Sequence, residues 1–258
     1  MINNPYEYEA MAACEKNLWW YRCLHDLTIN SVKKNSTVGN PRLLDAGCGT
    51  GGLLTQLKKN GYTNIQAFDL STDAVGYARK VSGIDVQLLD LTKLDSVYTP
   101  ASFDIVISHD TLCLLEERDA RLTFIKLVAV LKPGGLLLMN FPALQAFNGT
   151  HDIAVGIKKR YSKQHIREMA AGLATIKKIS YWPFLLSPLI FLTRGAQRIK
   201  LSLGGRRKEI VSDVKMPPAF FNRFCYQLTT FENKVFKAKP WGSSLFVILQ
   251  KPVDKLKG

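Results

Sequence analysis

Short apolar runs alternate with amphipathic stretches between residues 42 and 144, and this alternation constrains the fold more than any other feature. Runs with almost no polar positions are typical of strands buried on both faces, whereas the stretches between them have helical spacing. Strand and helix in alternation predict a parallel, doubly wound sheet. The predicted strands are residues 42–46, 65–68, 86–89, 103–108 and 136–141, and the predicted helices are 51–60, 72–81 and 116–131.

The flanks of this region are expected to complete the same domain. They predict helices over residues 6–30 and 162–171 and strands over 175–182 and 244–250. All elements together predict an α/β fold with a Rossmann-like, doubly wound, mostly parallel seven-stranded sheet. We expect one domain, residues 1–258, which consists of an N-terminal helical cap (1–40), a core (41–182 and 243–252) and an insertion before the last strand that forms a substrate cap (183–242).

Charge is the unusual property of the composition. There are 35 Lys and Arg against 21 Asp and Glu, which gives a net charge of +14. Residues 194–239 hold 11 of these cations and three acids, and they follow the apolar segment FLLSPLIFL. A basic excess favours anionic partners, although a solubilising surface would explain it equally well. For the insertion we favour a core helix or a substrate cap over membrane contact through residues 183–208.

Cysteine usage and the N-terminus indicate the compartment. The five cysteines include no C-x-x-C pair, so neither a disulfide framework nor a zinc site is expected. The N-terminal residues carry acids and lack a cationic-then-apolar signal. No apolar run reaches the roughly 18 residues that cross a bilayer. The sequence therefore predicts a reduced, cytoplasmic protein, and it sets no oligomeric state.

The sharpest motif is LLDAGCGTGG at residues 43–52. The predicted buried strand 42–46 carries Asp45 near its end, and a turn with Gly47, Cys48 and Gly49 leads into a helix. Glycines allow close backbone approach to a ligand, and the helix N-terminus offers free N–H groups. The G-x-G-x-G spacing differs from the G-x-G-x-x-G of dinucleotide sites, which disfavours a nicotinamide dehydrogenase. Asp45 is placed to meet an ammonium group, since it would repel a pyrophosphate.

Two further carboxylates follow the next two predicted strands. Asp69, before Leu70, is placed to accept both hydroxyls of a ribose. Asp90, before Leu91, offers an acceptor and an apolar edge to an adenine. Each acid alone is explained at least as well as a helix N-cap. Three acids at three successive strand ends favour a nucleoside site.

These motifs resemble those of class I S-adenosylmethionine-dependent methyltransferases. The series LLDAGCGTGG, FDLS, LLDLTKL, FDIVISHDTLCLL and LKPGGLLLMNFPAL has the family's order and spacing over roughly residues 42–144. The resemblance implies that Gly47 and Gly49 hold the methionine part of the cofactor, that Asp69 binds the ribose and that Asp90 contacts adenine. The sequence also resembles a bacterial subgroup of this family outside that region. LWWYR at residues 18–22 is similar to the subgroup's N-terminal helix, and the pairs His151-Asp152 and Arg160-Tyr161 are similar to its segment after the fifth strand. Lys159 stands where that subgroup has the first Arg of an Arg-Arg-Tyr sequence.

The resemblance implies an enzyme that transfers a methyl group from S-adenosylmethionine to N or O of a small molecule, in specialised metabolite biosynthesis. The product cofactor would be S-adenosylhomocysteine. The acceptor is expected beyond the fourth and fifth strands. The candidate cofactor residues are Asp45, Gly47, Cys48, Gly49, Asp69, Leu70, Asp90, Leu91, His109, Trp20 and Tyr21. The candidate acceptor residues are Asp110, Phe141, Asn148, Arg160 and Tyr161.

The candidate catalytic residues are His109, His151, Asp152 and Tyr21. A neutral His109 imidazole would accept a proton near pH 7, or it would only line the cofactor pocket. His151 with Asp152 forms either an oriented base or a loop turn with a capping acid. Tyr21 and Trp20 either fold over the cofactor or are core aromatics. Because only Asp110 and Asp152 are candidate metal ligands, no metal is expected.

Three alternatives to an enzyme that methylates a small molecule are considered. A lipid-linked or saccharide acceptor at a membrane surface would use the apolar and basic insertion. A non-catalytic, cofactor-binding interaction protein would use the same insertion to dock a partner. Nucleic acid is disfavoured, because SHDT follows the fourth strand in place of the Asn/Asp-Pro-Pro-aromatic motif of base-amino methyltransferases, and no Pro-Cys motif occurs.

Overall fold

The computed structural model describes residues 5–202 and 214–253, and its centre is a seven-stranded sheet in the order β3-β2-β1-β4-β5-β7-β6. Strand β7 runs antiparallel to β5 and β6, and the other neighbouring strands are parallel. The prediction of a mostly parallel, Rossmann-like sheet is confirmed. The strands are β1 Leu43–Ala46, β2 Ile65–Asp69, β3 Val86–Leu88, β4 Phe103–His109, β5 Leu131–Pro142, β6 Thr175–Trp182 and β7 Ser244–Gln250.

Helices cover both faces of the sheet. They are α1 Pro5–Cys14, α2 Trp19–Asn35, α3 Gly52–Lys59, α4 Thr72–Ser82, α5 Glu117–Ala129, α6 Thr150–Val155, α7 Lys163–Ala170, α8 Ser187–Ser202 and α9 Ala219–Val235. The local sequence explains their limits: the Ser71 side chain caps α4 by accepting from the Ala74 N–H, and Gly83 ends it at φ 64°.

Two predicted elements differ from the structure. The helix expected over residues 6–30 is two helices, α1 and α2, and the segment between Cys14 and Trp19 interrupts it. Strand β5 begins at Leu131 instead of residue 136, because the chain keeps pairing through a turn in which Gly134 adopts φ 78°. The first difference matters most, since the interruption brings Glu15 to the glycine turn.

Alternate side chains of the central strands fill two cores. Leu44, Val106 and Leu137 face one core with α5, whereas the neighbouring residues Leu43 and Ile105 face the other core with α2. Burial on both faces fixes the strand register, because a slip of one residue would exchange the two sets. The carboxyl ends of the parallel strands therefore meet at one edge of a rigid sheet.

In its described part the insertion contains α8 and α9 and no strand, as the loss of α/β alternation predicts. Helix α9 packs against α2, and Asn222 fixes the contact by accepting from the Trp19 N–H at 2.8 Å and donating to the Asn17 carbonyl at 2.9 Å. The described helices include none long and apolar enough to span a membrane. The cytoplasmic location and the domain limits stay predictions.

Candidate functional site

A cavity of about 640 Å³ lies over the carboxyl ends of β1, β2 and β4, between the sheet, α1, α2 and the insertion. Fourteen of the predicted site residues line it, namely Trp20, Tyr21, Asp45, Gly47, Cys48, Gly49, Asp69, Leu70, Asp90, Leu91, His109, Asp110, His151 and Arg160. The structure does not bring Phe141, Asn148, Asp152 and Tyr161 to its wall. All predicted cofactor residues therefore lie around one cavity.

The glycine turn is shaped by contacts inside the protein as well as by room for a ligand. Gly47 and Gly51 have φ of 86° and 87°, which strains residues with side chains. A Cβ on Gly47 would lie 2.4 Å from Thr111 Cγ2, and one on Gly51 would lie 2.7 Å from Ala78 Cα. A side chain at Gly47 or Gly51 would therefore clash with the protein itself, whether or not a ligand is bound.

Asp45 carries a buried, unsatisfied oxygen in this wall. Its side chain is 3% exposed, and its Oδ2 has no hydrogen-bond partner among the described residues. Burial, together with the nearby carboxylates of Glu15 and Asp69, raises the pKa of Asp45 to about 8. A buried acid without a donor is costly, so such groups have a functional reason where they occur. A cationic group of a ligand would satisfy Asp45, and this fits the ammonium of an amino-acid moiety.

Asp69 holds the glycine turn. Its Oδ2 accepts from the Gly49 N–H at 2.9 Å, and its Oδ1 accepts from the Ser71 N–H at 3.0 Å. Burial raises its pKa, and these donors oppose the shift. The N-cap of α4 is Ser71, so the capping alternative for Asp69 is wrong. Asp69 lines the cavity, and each carboxylate oxygen keeps a lone pair beyond its backbone donor.

Asp90 has the capping role that was its alternative explanation. Its Oδ1 accepts from the Thr92 N–H and from Thr92 Oγ1, both at 2.8 Å, and it begins a short 3-10 helix. Leu91, the first residue of that helix, is buried and lines the cavity with Asp90. The two roles coexist, because Oδ1 caps the helix while the residue still borders the cavity.

Glu15 is a site residue that the sequence analysis missed. It lies between α1 and α2, where its Oε2 accepts from the Gly52 N–H at 2.9 Å and from Thr50 Oγ1. Its Oε1 lies 3.6 Å from His25 Nε2. Glu15 thereby satisfies an amide at the start of α3 and places a third carboxylate near Asp45. No local signal reveals this, since the partners are 35 and 37 residues apart.

His109 is a poor candidate for a general base. Its Nε2 lies 2.8 Å from Thr28 Oγ1, and that hydroxyl donates to the Leu24 carbonyl, so Nε2–H is the donor. Burial, together with the nearby His25, lowers the pKa of His109 to about 3. A group this weakly basic takes up a proton inefficiently near pH 7. The structure supports the lining role and gives the catalytic role no support.

Asp110 is an acid beside the predicted acceptor region that has a raised pKa and is held by a hydrogen-bond network. It has φ 53°, a strained conformation that tends to cluster at functional sites. Both oxygens accept from Asn140 Nδ2, at 2.8 and 3.1 Å, and Asn140 Oδ1 accepts from Trp182 Nε1 at 2.9 Å. Burial raises the pKa of Asp110 to about 6, against the hydrogen bond from Asn140. A network therefore orients an acid that ionises near neutral pH.

The aromatic residues of α2 have both roles that the sequence left open. Trp20 stacks on Trp182 with ring centroids 5.3 Å apart, as a core residue would, and it also lines the cavity. Tyr21 meets Trp20 edge to face at 5.1 Å. Burial raises the pKa of Tyr21 well above its ordinary value, with carboxylates such as Glu15 adding to the shift. The phenol is therefore neutral and available as a hydrogen-bonding group.

Asp152 does not orient His151. Asp152 forms a bidentate ion pair with Arg160, in which Arg160 Nε donates to Asp152 Oδ2 at 2.6 Å and Arg160 Nη2 donates to Asp152 Oδ1 at 2.7 Å. Arg160 also donates to the Ala143 carbonyl at 2.9 Å, so the pair fastens α6 to the end of β5. The His-Asp and Arg-Tyr motifs are thus joined by a structural contact, while His151 and Arg160 border the cavity.

Three predicted acceptor residues are engaged elsewhere. Phe141 points into the core because side chains alternate along β5, and its ring lies 4.5 Å from that of buried Tyr161. Asn148 accepts from Arg198 Nη1 at 2.9 Å through its side-chain oxygen. Proximity to the end of β5 in sequence did not indicate which side chains turn towards the cavity. Within the described residues, no cluster of three or more His, Cys, Asp or Glu is placed to hold a metal.

Comparison with known proteins finds similarity to methyltransferases. Residues 43–135 match the family model described as "Methyltransferase domain". A protein of Geobacillus sp. (strain WCH70) whose name describes a methyltransferase is 30% identical over 157 residues, which cover 58% of this chain and 56% of that protein. Phosphoethanolamine N-methyltransferase 3 of Arabidopsis thaliana is 28% identical over 124 residues, 46% of this chain and 24% of that protein.

The chain thus spans about half of one of these relatives and about a quarter of the other. Among solved structures, the N-methyltransferase NodS from Bradyrhizobium japonicum WM9, in complex with S-adenosyl-L-homocysteine, matches with a TM-score of 0.57. It is 13% identical, and the match covers 97% of this chain and all of NodS. A likeness at this identity shows a shared fold.

Proposed function

We propose that residues 43–135, which match the methyltransferase family model, form a class I methyltransferase domain, and that the chain binds S-adenosylmethionine and methylates a nitrogen of a small molecule. The observation that carries the proposal is the unpaired Oδ2 of Asp45, buried beside the glycine turn. An orphaned acid at that point matches a ligand that brings its own ammonium group. A dinucleotide would bring a pyrophosphate and leave Asp45 unsatisfied.

The cofactor would be held by residues of three strand ends. Asp45 would take the amino group, Asp69 would accept the ribose hydroxyls, and Asp90 with Leu91 would border the adenine. Asp69 would act twice, because its Oδ2 holds the glycine turn while the residue also lines the cavity. When bound, the cofactor supplies an activated methyl group and a neutral thioether as leaving group.

Asp110 supports nitrogen as the methyl acceptor. Its carboxylate is ionised above a pKa of about 6, it borders the cavity, and Asn140 fixes its orientation. A carboxylate in this position would bind the acceptor while its amino group is a protonated ammonium. After the amino group loses a proton, the same carboxylate would accept its N–H hydrogen bonds and so orient the neutral amine. Tyr21 adds a neutral phenol to the same wall. Because the transfer needs mainly alignment, these groups suffice without a basic histidine.

The outer part of the cavity indicates an acceptor with an apolar portion. Apolar side chains from the loop after β5, α6, α8 and the start of α9 border it, namely Phe147, Val155, Ile157, Leu186, Leu189, Ile190 and Phe221. Such a wall favours an amphipathic amine over a fully polar one, since burying apolar surface stabilises the complex. Phosphoethanolamine N-methyltransferases among the relatives also act, by name, on an amine. The role in specialised metabolism stays a prediction.

The test combines binding with transfer of labelled methyl groups. We expect S-adenosylhomocysteine to bind, and label from S-adenosylmethionine to enter acid-soluble amines when the chain is incubated with an extract of the source cells. Asp110→Asn should bind S-adenosylhomocysteine normally and lose transfer, and Asp119→Asn on exposed α5 serves as the matched control. Binding without any transfer would mean a cofactor-binding interaction protein, and label confined to lipid or to precipitated macromolecules would overturn the small-molecule acceptor.

A further inference from the structure

Helix α9 has its polar and apolar faces reversed relative to an ordinary surface helix. Asn222, Thr229 and Glu232 face the protein and are buried. The opposite face carries Phe220, Phe224, Phe231 and Val235, which are 84%, 47%, 54% and 54% exposed. The helical repeat of 3.6 residues places these four on one side, and we call them the α9 stripe. Large apolar side chains gathered on an outer face mark an interaction site.

The polar contacts of α9 prevent the stripe from turning inwards. Asn222 bonds the chain before α2 with both its donor and its acceptor. Glu232 accepts from the N–H groups of Phe184 and Leu185 at 2.7 to 2.9 Å and pairs with Lys239 at 3.2 Å. A rotation of α9 would break these buried bonds and leave Glu232 and Lys239 buried without partners, which is costly. The stripe is therefore a fixed outer surface.

Charge around the stripe is positive. The helical repeat places Arg223 and Lys234 along one edge of it, and both are exposed. Helix α8 has a similar outward face, with Leu192 and Ile199 67% and 61% exposed and Lys200 beside them. Within the described part of residues 183–242 the one acid is Glu232, which is buried and paired. Within these described residues the exposed charges are therefore all positive, and the acid nearest to α9 from another element is Asp26, which accepts from the Tyr226 hydroxyl.

We propose that the α9 stripe docks the protein on an anionic lipid bilayer. Apolar side chains on one helix face, with cations at its edge, suit the boundary between acyl chains and negatively charged headgroups. Since the described helices include none that spans a membrane, the contact is peripheral. Phe221 borders both the cavity and the stripe, so docking would place the cavity mouth at the bilayer surface. The proposal concerns this surface alone and holds whichever acceptor is methylated.

Vesicle co-sedimentation of the full chain tests the docking. Vesicles of phosphatidylcholine mixed with phosphatidylglycerol should bind the protein, vesicles of phosphatidylcholine alone should bind it weakly, and high salt should release it. The double variant Phe220→Gln/Phe224→Gln should lose on the order of tenfold in affinity because it removes the apolar contact. Arg223→Gln/Lys234→Gln should lose about as much through the lost attraction to headgroups.

Leu122→Gln/Ile125→Gln on exposed α5 is the matched control, since these side chains are 47% and 38% exposed on another surface. This control should bind vesicles like the unaltered protein, and all variants should keep the affinity for S-adenosylhomocysteine, which verifies folding. Equal binding by the Phe220→Gln/Phe224→Gln variant would overturn the proposal. It would be overturned equally if the unaltered chain ignored anionic vesicles and formed dimers that this variant abolishes.

Discussion

The floor and the cap of the cavity bury opposite kinds of groups. The floor, which consists of Asp45, Asp69, Asp90 and the glycine turn, buries the carboxylates of Asp45 and Asp69 and leaves Asp45 Oδ2 without a partner among the described residues. The cap, which consists of α8 and α9, pairs Asn222 and Glu232 inwards and leaves phenylalanines outside. The unpaired carboxylate oxygen of the floor indicates a site for a charged ligand, whereas the exposed apolar side chains of the cap indicate a surface that contacts an apolar partner.

The two regions also differ in what holds them. Each floor residue lies at or just after the carboxyl end of a strand, so the rigid sheet positions it. The cap is fixed by contacts such as those from Asn222 to the chain around Trp19, more than 200 residues away in sequence. Changes in the floor should therefore alter ligand binding, and changes in the cap should alter stability or surface contacts. The following variants test this division.

Asp69→Ala should have the largest effect on binding. It removes the acceptor of the Gly49 N–H and the predicted ribose contact, so we expect a loss of about a thousandfold in S-adenosylhomocysteine affinity. Isothermal titration calorimetry measures this, with exposed Asp73→Ala on α4 as the control. A dissociation constant within threefold of the unaltered protein would remove Asp69 from the site.

Glu232→Gln should lower the stability of the protein and leave ligand affinity unchanged. The change leaves Lys239 buried without its partner charge, so we expect the free energy of unfolding to fall by about 3 kcal/mol. Urea unfolding measures the loss, and S-adenosylhomocysteine affinity should stay unchanged at temperatures where the variant is folded. If affinity fell together with stability, the floor and the cap would not be independent.

Asp110→Asn should affect turnover and leave cofactor affinity intact. We expect kcat to fall about a hundredfold, which is the range for losing a proton-accepting group. Burial raises the Asp110 pKa to about 6, so the carboxylate is lost as pH falls through 6. The kcat/KM of the unaltered enzyme should decline below pH 6, and this limb should vanish in the variant. A limb that persisted would assign the titration to another group.

His109→Gln should have the smallest effect. With a pKa of about 3, His109 is neutral and weakly basic, and Gln keeps a donor for Thr28. We expect kcat within about fivefold of the unaltered enzyme, well below the loss expected for a general base. Steady-state kinetics with the identified amine measures it. A hundredfold loss of kcat at unchanged cofactor affinity would restore His109 as the base.

Local patterns predicted the floor because its residues lie at strand ends. The apolar runs located the strands, and Asp45, Asp69 and Asp90 followed from them. Glu15 escaped because a continuous helical pattern hid the break between α1 and α2. Asp152 was paired with its neighbour His151, although its charge partner is Arg160 eight residues on.

The cap was less predictable for a physical reason. The apolar residues of FLLSPLIFL and of α9 favoured packing in a core or over a substrate. In the structure Leu186 is buried, but Leu192 and the α9 stripe face outwards. Composition locates apolar residues without showing which face a helix turns inwards. Here the polar anchors Asn222 and Glu232 decide that orientation, and their partners lie far away in sequence.

The proton balance of cofactor binding tests the central claim most directly. Asp45 has a pKa of about 8 and is mostly protonated at pH 7, and an ammonium bound to its Oδ2 favours the carboxylate. Calorimetry of S-adenosylhomocysteine binding at pH 7, in buffers of different ionisation enthalpy, should therefore reveal release of close to one proton. Asp45→Asn should abolish this release and weaken binding by about a hundredfold. Equal affinity and equal proton balance in the two proteins would contradict the account.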